Sequence, residues 1–126
     1  MEFVSGNVYI REMAFVKAGD THVGHFHNFD HTTYVVRGAI KIEQLQVVVP
    51  AVLDADGIET TPAKFEVVRT MEKKASQGHN WVLILAKAYH RITALEDDTM
   101  AHCIYAHRNP QGEVVQEYDG WHDGYA

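Results

Sequence analysis

Short runs of strand-forming residues, each closed by a turn signal, restrict this chain to an all-β fold. VYIREMAFV (8–16) is rich in β-branched and aromatic residues and stops at Ala18-Gly19-Asp20. HVGHFHNF (22–29) alternates, so Val23, His25, His27 and Phe29 fall on one side and His22, Phe26 and Asn28 on the other. HTTYVVRG (31–38) ends at Arg37-Gly38, and AIKIEQLQVVV (39–49) is closed by Pro50. Asp54-Ala55-Asp56-Gly57 marks another turn, read as the centre of an extended hairpin within 38–78. KFEVVRTM (64–71), NWVLILAKAYHRITAL (80–95), AHCIYAHR (101–108) and EVVQEY (113–118) follow, with little helical periodicity. About eight strands at this spacing predict a single-domain jelly-roll β-barrel.

Composition narrows the function. At 126 residues the chain is long enough to bury one hydrophobic core without staples. A formal net charge of −6 and the absence of any basic run exclude a nucleic-acid or anionic-membrane partner. Cys103, the single cysteine, has no partner for an internal disulfide, which favours a reducing, cytoplasmic location. The first residues, MEFVSGNVYI, lack a basic segment and a long apolar stretch, so they do not read as a signal peptide. No run approaches the length needed to span a membrane as a helix.

The unusual residue is histidine, with nine in all, three of them packed into HFHNFDH (25–31). Imidazoles two residues apart on a strand point to one side, about 7 Å apart along the backbone. Side chains at that spacing can converge on one ion about 2 Å from each ring nitrogen. A solvated polar strand is the plain alternative.

The surroundings of this segment decide between them. GDTHVGHFHNFDHTTYVVRG (19–38) resembles the first motif of the cupin family: a glycine, five residues, HxH, three or four residues, a glutamate, six residues and a glycine. Gly19, His25, His27 and Gly38 fall on that spacing, and His31 stands where the family carries its glutamate. ILAKAYH (84–90) is similar to the second motif, with His90 at the ligand position, Leu85 in place of a proline, Lys87 in place of a glycine, and Gly78 upstream. The likeness covers 19–107 as a cupin core, preceded by an N-terminal strand region (1–18) and followed by a C-terminal extension (108–126).

This resemblance implies a cupin-like double-stranded β-helix with a divalent transition metal held by His25, His27 and His90, with His31 fourth. Four neutral imidazoles leave the ion its full formal charge, making it a stronger Lewis acid and a better anchor for an anion. Such ligands suit Fe, Zn, Ni or Cu, with Fe foremost and Mn also compatible. With His31 outside the ligand set, the site is a three-histidine face with open positions, similar to the family's thiol and diketone dioxygenases.

Among the other histidines, His22, His79 and His122 are read as solvent-facing. On AHCIYAH, Cys103, Tyr105 and His107 share one face and His102, Ile104 and Ala106 the other. If the first face lines the barrel, Tyr105 and His107 are the candidate catalytic groups, and Cys103 is either a polarising thiol or a small buried hydrophobe. Arg69 is either an anion-binding group or half of a rim salt bridge. Tyr118, Trp121 and Tyr125 pack on the barrel or across a homodimer interface, to which residues 8–16 could supply an edge strand. The leading function is a mononuclear non-haem, dioxygenase-like metalloenzyme acting on a small anionic or enolisable substrate. The alternatives are a non-catalytic small-molecule or metal-binding module, and a Lewis-acid isomerase or lyase. Metal-free sugar epimerisation would leave the histidine cluster without a purpose.

Overall fold

Alternation along the strands sorts side chains into an inward and an outward set, and the inward set builds the core. The structure, a computed structural model, describes residues 1–25, 30–85 and 88–114, with backbone alone at 23–25. Its strands are β1 (Glu2–Ser5), β2 (Val8–Phe15), β3 (Thr21–His25), β4 (His31–Arg37), β5 (Ala39–Val49), β6 (Val52–Leu53), β7 (Glu59–Thr61), β8 (Lys64–Lys74), β9 (Trp81–Ile84), β10 (Tyr89–Ala94) and β11 (Thr99–Ala106). Among the described residues no helix is long and apolar enough to cross a membrane.

Two antiparallel sheets face each other. One runs β1-β2-β11-β4-β9 and the other β3-β10-β5-β8, with β6 and β7 forming a small separate ribbon. Between the two large sheets the chain crosses at β2 to β3, β3 to β4, β4 to β5, β8 to β9, β9 to β10 and β10 to β11. That repeated crossing is the connectivity of a jelly roll. Met13 and Phe15 of β2, Val35 of β4, Ile40 and Ile42 of β5, Ile84 of β9, Ile92 of β10, and Ala101 and Cys103 of β11 fill the space between the sheets. Each fully buried large side chain of this kind contributes about 1.5–3 kcal/mol relative to exposure.

Several elements differ from the sequence reading. Residues 80–95 divide into β9 and β10, which lie in opposite sheets, and between them the Ala88 N–H donates to the Leu85 carbonyl at 3.3 Å. Residues 8–16 do not offer an edge strand. β2 lies between β1 and β11, and β1 takes the edge. The long hairpin is present as β5 and β8, with β6 and β7 at its tip. There the Asp54 carboxylate accepts the Asp56 and Ile58 N–H groups at 2.9 Å each, closing the turn expected at 54–57. Val114 bridges to Arg108, and Tyr118, Trp121, His122 and Tyr125 lie outside the described residues.

Candidate functional site

The middle of the four-stranded sheet carries a cross-strand row that the sequence order conceals. His90 of β10 pairs with His25 of β3 on one side and with Gln44 of β5 on the other, and Gln44 pairs in turn with Arg69 of β8. Residues opposite one another in antiparallel strands share a face. The row His25–His90–Gln44–Arg69 therefore runs from the expected metal ligands to the outer strand of the sheet.

His90 is almost fully buried. Its Nδ1 lies 3.1 Å from the Ala88 carbonyl oxygen. A carbonyl can only accept, so Nδ1 carries the proton and Nε2, itself buried, carries the lone pair. Burial also pulls the imidazole below its ordinary pKa, keeping the ring neutral. A neutral imidazole oriented by a backbone carbonyl is the usual state of a metal-ligating histidine.

His31 meets His90 from the opposite sheet. It is buried on β4, and the two ring centroids are 5.5 Å apart at 50°. Two imidazoles that share one ion through nitrogens about 2 Å from it have centroids roughly 5 Å apart. His31 does not continue the strand of His25, as strand parity assumed. It reaches the same interior from across the core, because β3 and β4 belong to different sheets. His25 contributes its backbone pairing to the row, while its side chain and the whole of His27 lie outside the description. Among the described residues, no group of three or more His, Cys, Asp or Glu side chains comes together. What is present, two buried neutral-capable imidazoles facing each other with His25 in register, fits an imidazole-preferring divalent ion.

β3 holds the clearest departure. His25 pairs with His90 but His22 pairs with Ile92, so the ladder slips by one residue between them. Such a bulge puts the two histidines on positions facing inward-pointing partners, although their spacing of three would separate them on a regular strand. His22 is consequently half-buried rather than solvent-facing, its ring centroid 4.8 Å from that of Phe15 in an edge-to-face contact and its pKa lowered by burial.

On β11 the face bearing Ala101 and Cys103 is the inner one. Cys103 packs as a small buried group, with Sγ 3.7 Å from Thr33 Oγ1 and 3.9 Å from Met13 Sδ. Burial pushes its thiol up to about 11, so it is protonated at neutral pH. Tyr105 pairs with Tyr9 of β2, the rings stacked at 4.8 Å and 22°. His107 also stacks on Tyr9, their ring centroids 5.9 Å apart at 16°. Burial first, then a hydrogen bond with Glu2, raises the Tyr9 phenol to about 12, and burial together with Tyr9 raises Tyr105 further. Both phenols therefore hold their protons at neutral pH. The β4–β11 ladder pairs Cys103 with Thr33 and Ile104 with Thr32.

A cavity of about 310 Å³ opens beside His90. Among the described residues Gln44, Arg69 and His90 are its polar groups, and the others that line it are apolar, including Ile42, Met71, Val82 and Ile84. Gln44 escaped the sequence reading although a signal was present: Ile40, Ile42 and Gln44 alternate on one face of β5, and the third breaks an apolar series.

No protein-family model and no curated protein matches this sequence. Solved structures do. A variant of oxalate decarboxylase from B. subtilis superposes with a TM-score of 0.58 at 14% identity, over 93% of this chain and 24% of that one. Oxalate oxidase in complex with the substrate analogue glycolate gives 0.51 at 14% identity, over 78% of this chain and 40% of that one. Hydroquinone 1,2-dioxygenase in complex with Cd2+ and 4-hydroxybenzonitrile gives 0.52 at 14% identity, over 91% and 69%. This chain thus spans about a quarter of the decarboxylase and two fifths of the oxidase. Its two facing sheets, their crossing connections and these superpositions together give the chain a cupin fold.

Proposed function

We propose that this protein is a mononuclear metal-dependent enzyme of the dioxygenase type, acting on a small anionic or enolisable molecule in the cavity beside His90. The observation that carries the reading is His90 itself: buried, fixed with Nδ1–H on the Ala88 carbonyl, and facing His31 at 5.5 Å where the cavity opens. The fold is shared with oxalate decarboxylase, oxalate oxidase and a hydroquinone dioxygenase, but a fold hosts many chemistries and the site must carry the reading.

In this reading His25, His27, His31 and His90 hold the ion, with iron the leading candidate. The bound ion would supply Lewis acidity toward a substrate oxygen and a place for dioxygen. The chain's own residues do the rest. The Ala88 carbonyl fixes the tautomer of His90. Apolar walls at Ile42, Met71, Val82 and Ile84 exclude water from the reacting end. Tyr105, kept protonated by burial, is a neutral hydrogen-bond donor rather than a base, and stacking on Tyr9 fixes its ring.

Metal content tests this directly. Untagged wild-type protein is expected to carry near-stoichiometric Fe, or another first-row divalent metal, by plasma mass spectrometry. His90→Ala should lose at least nine tenths of it while keeping its circular dichroism spectrum. Wild-type protein that stays metal-free after reconstitution would refute the enzyme reading. Metal retained without dioxygen uptake on any acid or diketone tested would favour the Lewis-acid or binding alternatives.

A further inference from the structure

We propose that Arg69 is the carboxylate anchor of this cavity, and that the ligand is a monocarboxylic acid with an apolar body rather than a compact diacid such as oxalate. The inference rests on the reading that the His90 end of the cavity is the reacting end, and it names what enters there.

The first observation is the cross-strand row. Arg69 and His90 are separated by one strand, with Gln44 between them on the same face. Adjacent strands lie about 4.8 Å apart, so the two backbones stand roughly 10 Å apart. A ligand held at both ends of the row needs its carboxylate several bonds from the oxygen directed at His90. The two carboxylates of oxalate are joined by a single bond and do not span that distance.

The second observation is the wall. Among the described residues, apart from Gln44, Arg69 and His90, the cavity is lined by aliphatic, methionine and alanine residues. A wholly polar dianion would be desolvated against such a surface without compensating hydrogen bonds, whereas an aromatic or branched body would displace water from it favourably. A volume near 310 Å³ suits a ligand of that modest size.

The third observation is electrostatic. Cationic side chains at several surface positions have acidic partners: Lys17 with Asp97, Arg37 with Asp98, and Lys41 and Arg91 with Glu43. Arg69 has none among the described residues, and it is exposed where the cavity wall meets solvent. A guanidinium presents a planar fork that matches a carboxylate with two parallel hydrogen bonds. Gln44, one strand inward, offers an amide donor to the same oxygens.

The test compares 3-phenylpropanoate, its neutral amide 3-phenylpropanamide, and oxalate, titrated calorimetrically into full-length protein both as purified and after chelator treatment. Wild type is expected to bind the acid at least tenfold more tightly than the amide, and more tightly than oxalate, in both preparations. Arg69→Met should weaken the acid at least tenfold, abolish the preference for acid over amide, and leave the amide's affinity and the bound metal unchanged. Arg69→Lys should restore part of the preference, which separates a lost charge from a disturbed strand. Undiminished acid binding by Arg69→Met, no binding of the acid by wild type, or tighter binding of oxalate would each overturn the proposal. Metal measured in the same samples keeps the two readings apart. Wild type without metal but with an Arg69-dependent acid preference would sink the metal centre and leave the anchor standing. Metal with no such preference would do the reverse.

Discussion

Cys103 shows how environment decides what a residue can do. A lone cysteine next to a tyrosine-bearing strand invites a reactive role, yet this thiol packs against Met13 and Thr33 in the core. Burial dominates its titration and lifts it to about 11, outweighing the opposing effects of Thr33 and Arg11. The unfolded chain ionises the same thiol near 8.5. Because the folded value is the higher one, the stabilising effect is complete below pH 8.5 and lost as pH rises toward 11. Wild type should lose about 2–3 kcal/mol more than Cys103→Ala between pH 8 and pH 11 in urea melts at each pH. A thiol-specific disulfide reagent should leave the native protein unmodified at pH 8 for as long as it stays folded. Equal alkaline losses in the two proteins, or rapid native labelling, would contradict this placement.

At the scale of elements, the turn between β4 and β5 is the most constrained. Gly38 joins them with φ of 75°, a left-handed conformation that costs little only for glycine. A Cβ there would run into Thr99 Oγ1 and come within 3.0 Å of the Thr99 Cα and Cβ. Thr99 cannot yield, since it is buried at the start of β11 and its hydroxyl donates to the Glu96 carbonyl at 2.9 Å. Gly38→Ala is therefore expected to cost about 2–4 kcal/mol, combining backbone strain and overpacking. Gly19→Ala, with φ of 94° but open space around the new methyl, should cost about 1–2 kcal/mol. Chemical denaturation of both variants checks the order, and equal losses would show that the Thr99 contact relaxes. Both glycines were visible in the sequence because a turn between strands demands them at fixed spacing. The sheet partners were not. His31 and His90 meet across the interior only because β4 and β10 belong to different sheets, a non-local fact that strand parity cannot encode. The bulge in β3 likewise carries no mark in THVGH, and it turned a predicted surface His22 toward Phe15. Gln44 and Arg69 were readable singly as polar interruptions, but their shared row with His90 exists only once β5 stands between β8 and β10.

For the whole molecule, the candidate ion would act as a tie between layers. The core joins the two sheets by apolar contact and by the Thr99 hydroxyl, which accepts the Ala39 N–H at 3.3 Å, whereas His31 and His90 bring a ligand-bearing group from each sheet to one point. An ion that binds only the folded state stabilises it by about 2.7 kcal/mol at a free concentration one hundred times its dissociation constant. For a chain of 126 residues that amounts to a rise in Tm of roughly 8–16 °C. Chelator-treated wild type should show this rise on adding Fe²⁺ without oxygen, or Zn²⁺. His31→Ala separates the two ligand arrangements left open by the sequence. If His31 is a ligand, the variant loses the link to the five-stranded sheet, and its Tm should rise by less than half as much as that of wild type. If the ion is held by His25, His27 and His90 alone, His31→Ala begins from a lower Tm because of the cavity it creates, yet gains as much from metal as wild type does. The metal-dependent increment in Tm, rather than Tm itself, therefore reports whether His31 belongs to the ligand set, and an undiminished increment would exclude it.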